Sequence, residues 1–303
     1  MSGGGSADRE PGGALNATRA GRLGHAAGRG WAFARRRATG DYEVDRYGLD
    51  PDLAERVIYP AFLPLYRDWF RVEVTGLENV PDTGGALIVG NHAGGLWAID
   101  AVMVTLAIHQ EHPAHRFLRS LAADLVFRAP VLGWMARAGG GAPARHPDAD
   151  ELLAAGELVG VWPEGFKGIG KPFRERYHLQ RFGRGGFAVT ALRAGAPMIP
   201  VSIMGSEETY PVLGHAKALA RLLDLPYFPI TPTFPWLGPL GLVPLPVKWR
   251  IEFGAAVPTT GLGPEAAESE DVVFELADRV RDTIQTTLDR MVTERRSIWA
   301  WNA

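Results

Sequence analysis

Ala86-Leu87-Ile88-Val89-Gly90-Asn91-His92 opens on four apolar residues in a row and ends on two polar ones. An unbroken apolar run of this length is the pattern of a strand buried on both faces, and such strands belong to parallel sheets covered by helices. Leu158 to Trp162, just ahead of Pro163-Glu164, and Met198 to Met204 repeat it. Helix-like stretches lie between: 99–108, Asp148 to Ala155 stopped by Gly156, and Phe182 to Ala194 closed by Gly195, a common residue just past a helix end. Phe117 to Ala122 reads as another strand. Phe70, Val72 and Val74 alternate as a strand should, as do Val247, Trp249, Ile251 and Phe253. Leu53, Val57, Ile58, Phe62, Leu65 and Trp69 recur at helical spacing. Val273, Leu276, Val280, Ile284, Leu288 and Met291 give an amphipathic helix at the end. Strands alternating with helices predict an α/β fold, a mostly parallel central sheet flanked by helices.

Outside this block the composition changes twice. Residues 1–45 are rich in Gly, Ala and Arg and read as a disordered leader ending in Arg35-Arg36-Arg37, since little there offsets the entropy of ordering. Residues 46–303 read as one domain. Within it, 225–246 carries seven prolines among large apolar residues, which excludes a regular helix and an interior strand and marks an insertion.

Bulk properties remove several classes. The 303 residues carry a formal net charge of −2, which excludes a general polyanion binder, so no nucleic acid is expected. The absence of cysteine excludes disulfides, thiolate-bound zinc and a thiol nucleophile. No stretch reaches the roughly 18 apolar residues of a spanning helix, and residues 1–30 lack the apolar core of a secretion signal.

Polar residues gather where the buried strands end, the usual place for an α/β active site. After the first strand come Asn91, His92, the permissive pair Gly94-Gly95, and Asp100 at the start of a helical run. Asp100 either caps that helix alone or turns back to orient the His92 ring, so that His92 takes a proton from an alcohol. After the second comes Pro163-Glu164-Gly165-Phe166-Lys167, a turn forced by Pro163 and Gly165. Lys167, Lys171 and Arg174 are candidate phosphate ligands, and Glu164 a candidate acceptor from a substrate hydroxyl. Arg145, in a Gly/Pro loop before a helix, is a further phosphate clamp or a solvated residue.

Three other patterns fail. His92-Ala93-Gly94-Gly95 is shaped like a lipase oxyanion loop, but none of the seven serines sits in Gly-x-Ser-x-Gly. Gly165 to Lys171 has the spacing of a phosphate-binding loop, but Pro172 stands where Ser or Thr must meet magnesium. His109, His112 and His115 are too loosely spaced around Pro113 for a metal set and read as a solvated turn. No metal or cofactor is expected.

Asn91-His92…Asp100, Ala142 to Arg145, Trp162-Pro163-Glu164-Gly165-Phe166-Lys167 and Ala196-Pro197-Met198-Ile199-Pro200-Val201 resemble, in order, the four blocks of the glycerolipid and lysophospholipid acyltransferase family. The resemblance covers about residues 68–255. It implies a His92–Asp100 dyad that activates an acceptor hydroxyl against an acyl thioester, carried by coenzyme A or acyl carrier protein, without an acyl-enzyme. It implies that Asn91, Gly94, Gly95, Arg145, Glu164, Gly165, Lys167 and Lys171 bind a glycerolipid acceptor. Two departures stand out. Seven residues separate His92 from Asp100 where the family has four, resembling a divergent bacterial branch with a His-x-Gly-Gly first block. The third block has Phe166-Lys167 in place of Thr-Arg, exchanging a guanidinium fork for a point charge.

The resemblance gives the proline-rich insertion a meaning. Phe228, Phe234, Trp236 and Leu237 either fold back as core or form a membrane or acyl-chain surface, with Arg35 to Arg37 adding attraction to anionic lipid. The expected place is the inner face of the membrane, cytoplasmic and peripheral. The competing expectation is an inactive family member that only binds lipid. The His92–Asp100 distance separates the two.

Overall fold

The computed structural model describes residues 30–93, 98–225, 227–295 and 297–298. Its centre is a seven-stranded sheet in the order β1-β9-β6-β2-β5-β3-β4. The strands are β1 (Glu73–Thr75), β2 (Ala86–Gly90), β3 (Leu118–Ala122), β4 (Ala142–Pro143), β5 (Leu158–Val161), β6 (Met198–Met204) and β9 (Arg250–Phe253). β7 (Gly214–His215) and β8 (Pro229–Ile230) form a separate hairpin. Every neighbouring pair in the large sheet is parallel except β6 with β9. The carboxyl ends of β2 to β6 therefore lie along one edge.

β2 sits mid-sheet with β5 and β6 on either side, in the registers Leu87↔Val159 and Leu87↔Met198. Its side chains alternate between two cores. Leu87 and Val89 pack in the cluster that contains Phe187, Leu192, Val280, Ile284 and Leu288. Ala86 and Ile88 pack in the cluster that contains Met103, Leu106, Phe70 and Trp249. Burial on both faces is why this strand reads as a continuous apolar run.

The helices that matter below are α1 (residues 51–69), α2 (Ile99–Glu111), α3 (Pro130–Ala138), α4 (His146–Ala154), α5 (Phe166–Ile169), α6 (Gly186–Ala194) and α7 (Glu270–Glu294). α1 contains two π-helical stretches, Ala54–Ile58 and Leu65–Trp69. α6 starts at Gly186 rather than at Phe182. Gly183 and Gly185 both have positive φ, 56° and 72°, which keeps the preceding residues out of the helix.

Two expectations are corrected. The expected disordered leader spans 1–45, but residues 30–39 are helical. Arg37 Nη2 donates to Asp50 Oδ1 at 2.7 Å, and Arg36 pairs with Asp52. Two of the three arginines are thus engaged with acids of the fold, and Arg35 is exposed. His109 and His112 are buried rather than solvated: His112 Nε2 donates to the Val80 carbonyl at 2.9 Å. Among the described residues no group of three His, Cys, Asp or Glu side chains could hold a metal ion. No helix among them is long and apolar enough to cross a membrane.

The insertion 225–246 contributes β8 and a 3₁₀ turn, Gly238–Leu242, and divides its apolar residues. Phe228 and Phe234 turn toward each other, half-buried, with ring centroids 5.3 Å apart. Trp236 and Leu240 stand more than 70% exposed, and Leu237 and Val243 are also exposed.

Candidate active site

The chain is pinned where β2 ends. Asn91 Oδ1 accepts the Ile203 N–H at 2.7 Å and its Nδ2 donates to the Ile203 carbonyl at 3.0 Å. A side-chain amide thus replaces one main-chain pair with β6, and the next residue leaves the sheet. Asn91 is fully buried and spent on this bond. It was expected to touch substrate; instead it fixes the point from which His92 departs.

His92 lies on the sheet edge with its side chain 12% exposed. Its Nδ1 is 2.7 Å from Asp100 Oδ2, and the same oxygen accepts the Ala93 N–H at 2.7 Å. Asp100 Oδ1 accepts the Ala101 N–H at 2.9 Å. The carboxylate therefore orients the ring, and from inside the first turn of α2 it also takes the Ala101 N–H, while the N-cap position itself is Ala98, without a side-chain cap bond. Ala98, at φ 45° and ψ 44°, sits in the left-handed region just before α2, a backbone strain of the kind found where geometry serves a site. A proton on Nδ1, facing the carboxylate, leaves Nε2 as the acceptor, and Nε2 has no partner among the described residues. Gly94 and Gly95, expected to absorb the longer spacing, lie outside the described residues.

Glu164, after β5, is buried with its side chain 0% exposed. Its Oε1 accepts the His92 N–H at 2.9 Å and its Oε2 the Gln180 N–H at 2.7 Å. Both oxygens point into the protein, so the expected bond to an acceptor hydroxyl is corrected: Glu164 holds main chain. Lys171 is corrected likewise. It is buried among Glu164, Glu207 and the His178 carbonyl, out of reach of a phosphate. Gly165 makes the turn at φ 54°. Gly168, which sequence reading passed over, lets the two strand-end loops meet: a Cβ there would come within 2.7 Å of the His92 carbonyl oxygen. Gln180, Glu207 and Trp162, whose ring lies 5.9 Å from that of His92, were missed as well. Gln180 and Glu207 stand in no motif; Trp162 opens the third block and could have been found by that position.

Lys167, Arg145 and Arg174 are exposed, as a phosphate ligand must be. Arg145 pairs with Asp124 at 3.2 Å, an exposed contact of little strength. With His146 and Arg184 it rims a cavity of about 240 Å³ whose walls include Leu87, Val161 and Phe187. A larger cavity of about 450 Å³ lies between the 181–185 turn and α7 and includes none of Asp100, Arg145, Glu164, Lys167 and Lys171. His92 lines neither.

Residues 71–204 match the family model described as Acyltransferase, which spans every strand-end loop described above. An uncharacterized protein of Mycobacterium tuberculosis is 55% identical over 267 residues, 88% of this chain and 74% of that protein. Through residues 71–204 the chain belongs to the acyltransferase family. A bovine protein named DGAT1/2-independent enzyme synthesizing storage lipids is 26% identical over 224 residues, 73% of this chain and 60% of its own length. The crystal structure of a 1-acyl-sn-glycerophosphate acyltransferase from Thermotoga maritima superposes with a TM-score of 0.50 at 21% identity, covering 80% of each chain, a likeness of fold. In this acyltransferase the first and third family blocks meet through one bond, His92 N–H to Glu164.

Proposed function

We propose that this acyltransferase moves a fatty acyl group from a thioester, acyl-CoA or an acyl carrier protein, to a hydroxyl of a lysophospholipid or related glycerolipid. His92 Nε2 takes the hydroxyl proton as the oxygen attacks the thioester carbon. The thiolate leaves as the tetrahedral intermediate collapses, and the proton on Nε2 goes to the sulfur. Asp100 holds the ring and offsets the imidazolium charge while it lasts. No group on the protein carries the acyl chain. The observation that carries this reading is the 2.7 Å contact between His92 Nδ1 and Asp100 Oδ2, made across the longer spacing. It favours catalysis over lipid binding alone.

Lys167, Arg145 and the basic rim around it are the groups we assign to the acceptor headgroup. A lysine at 167 suits a point contact rather than a forked grip on a phosphomonoester, and the bovine relative's name refers to storage lipids. Neutral acceptors therefore belong in the test. Trp236, Leu237 and Leu240 are our candidates for contact with the membrane surface, on its inner, cytoplasmic face. Purified protein with labelled acyl-CoA and a panel of lysolipids and diacylglycerol in mixed micelles tests the reading. Labelled product from one acceptor class, absent with His92→Ala, is expected. Lipid binding without transfer to any acceptor would refute it.

A further inference from the structure

Behind Glu164 lies a second ionic group that no family block contains. Lys171 Nζ is 3.5 Å from Glu164 Oε2 and 3.1 Å from Glu207 Oε1, and donates to the His178 carbonyl at 2.9 Å. The side chains of Lys171, Glu164 and Glu207 are 1%, 0% and 6% exposed. The other oxygen of Glu207 accepts the Tyr177 N–H at 2.9 Å. Tyr177 is itself held at φ 63°, its hydroxyl accepting the Gly205 N–H at 2.9 Å and its carbonyl accepting from Gln285 at 2.8 Å. Residues 171–180 thus form a strap, tied to Glu207 at Lys171 and Tyr177 and returning to Glu164 through the Gln180 N–H.

Three buried charges are a poor way to fill a core, since apolar side chains of similar volume are often as stabilising or more so. Stability alone does not account for the cluster. Its link to the dyad is Glu164, whose remaining oxygen holds the His92 N–H. We propose that Lys171 and Glu207 are positioning residues, clamping Glu164 so that it fixes the main chain of His92. The proposal rests on the acyl-transfer reading above.

Glu207 completes the clamp only as a carboxylate. Ionised, its two oxygens serve Lys171 and Tyr177; protonated, one of them becomes a donor. Burial pushes Glu207 up from the usual carboxylate value to about 7, against the pull of Lys171 and the Tyr177 N–H and with a push from Glu164. The neighbouring Glu208 is matched by Arg295 and Arg176. The Tyr177 phenol, raised by burial, stays neutral. The clamp engages as pH rises through about 7. Gln keeps the size of Glu and one acceptor oxygen, so Glu207→Gln is expected to fold.

The test compares full-length wild type with Glu207→Gln, and with Lys171→Met as a second variant, at about pH 8. Hydrogen exchange at the His92 amide is expected to be roughly tenfold faster or more in both variants, reporting a loosened local structure. In acyl transfer, kcat is expected to fall about 10- to 100-fold with KM within about twofold, the mark of a misplaced group rather than lost binding. The acid limb of the kcat profile is expected to show two ionisations in wild type and one in Glu207→Gln. Folded variants with unchanged His92 exchange overturn the proposal, as does a kcat loss that follows only the folded fraction. If wild type itself transfers no acyl group, faster His92 exchange in the variants still upholds the clamp, and the acyl-transfer reading is what falls.

Discussion

The loops that follow β2 and β5 begin alike and end differently. Each leaves the carboxyl end of a buried strand, the two strands are hydrogen-bonded neighbours, and a buried carboxylate stands in the one loop (Glu164) and at the start of the helix after the other (Asp100). Asp100 spends one oxygen on a side chain, the His92 ring, and thereby leaves Nε2 turned to whatever binds. Glu164 spends both oxygens on main-chain N–H groups, His92 and Gln180, and has nothing left for a substrate. One acid sets the chemistry of a ring; the other sets where that ring is. A motif residue that looks reactive in sequence can be the mount rather than the tool.

The comparison makes two opposite demands. Asp100→Asn should lower kcat on the order of 10³-fold, because an amide facing Nδ1 can present its NH₂ and select the wrong tautomer; steady-state transfer rates check this. Glu164→Gln should lower kcat less, about 10²-fold, and should cost about 1–3 kcal/mol of stability because one acceptor now faces two buried donors. Denaturant unfolding beside kinetics separates the two, and identical signatures for both variants would break the comparison. Arg145→Ala should raise KM for a phosphate-bearing acceptor several-fold, while leaving stability within about 0.5 kcal/mol because its ion pair with Asp124 is exposed. Equal KM for charged and neutral acceptors would remove it from the headgroup site. The smallest effect on chemistry is expected from Trp236→Asp, which should weaken sedimentation with lipid vesicles and leave transfer to a soluble short-chain acceptor unchanged.

Much of this was legible in advance because the strands announce themselves. A strand buried on both faces has no polar positions, so Ala86 to Gly90 and Met198 to Met204 could be placed from composition alone, and the functional edge followed from where they stop. His92 and Asp100 were legible as a pair, but their contact was not; Ala98, just before the helix that carries Asp100, stands in the left-handed region, which an alanine does not advertise. Direction was the harder quantity. Nothing in Pro163-Glu164-Gly165 says whether the carboxylate faces solvent or the neighbouring loop. That is decided by Gly168, which permits the close approach, and by Lys171 and Glu207, distant in sequence and joined only by the fold. The leader was misread for a similar reason: Arg36 and Arg37 look solvated until Asp50 and Asp52 are brought to them.

The central claim is that His92 is the base for acyl transfer. The direct measurement is the single-turnover rate of transfer from labelled acyl-CoA to the acceptor that wild type uses, in wild type and His92→Ala, with acyl-CoA binding measured for both. The account predicts a loss of about 10²- to 10⁴-fold in rate with binding unchanged. Transfer by His92→Ala within a few-fold of wild type would contradict it.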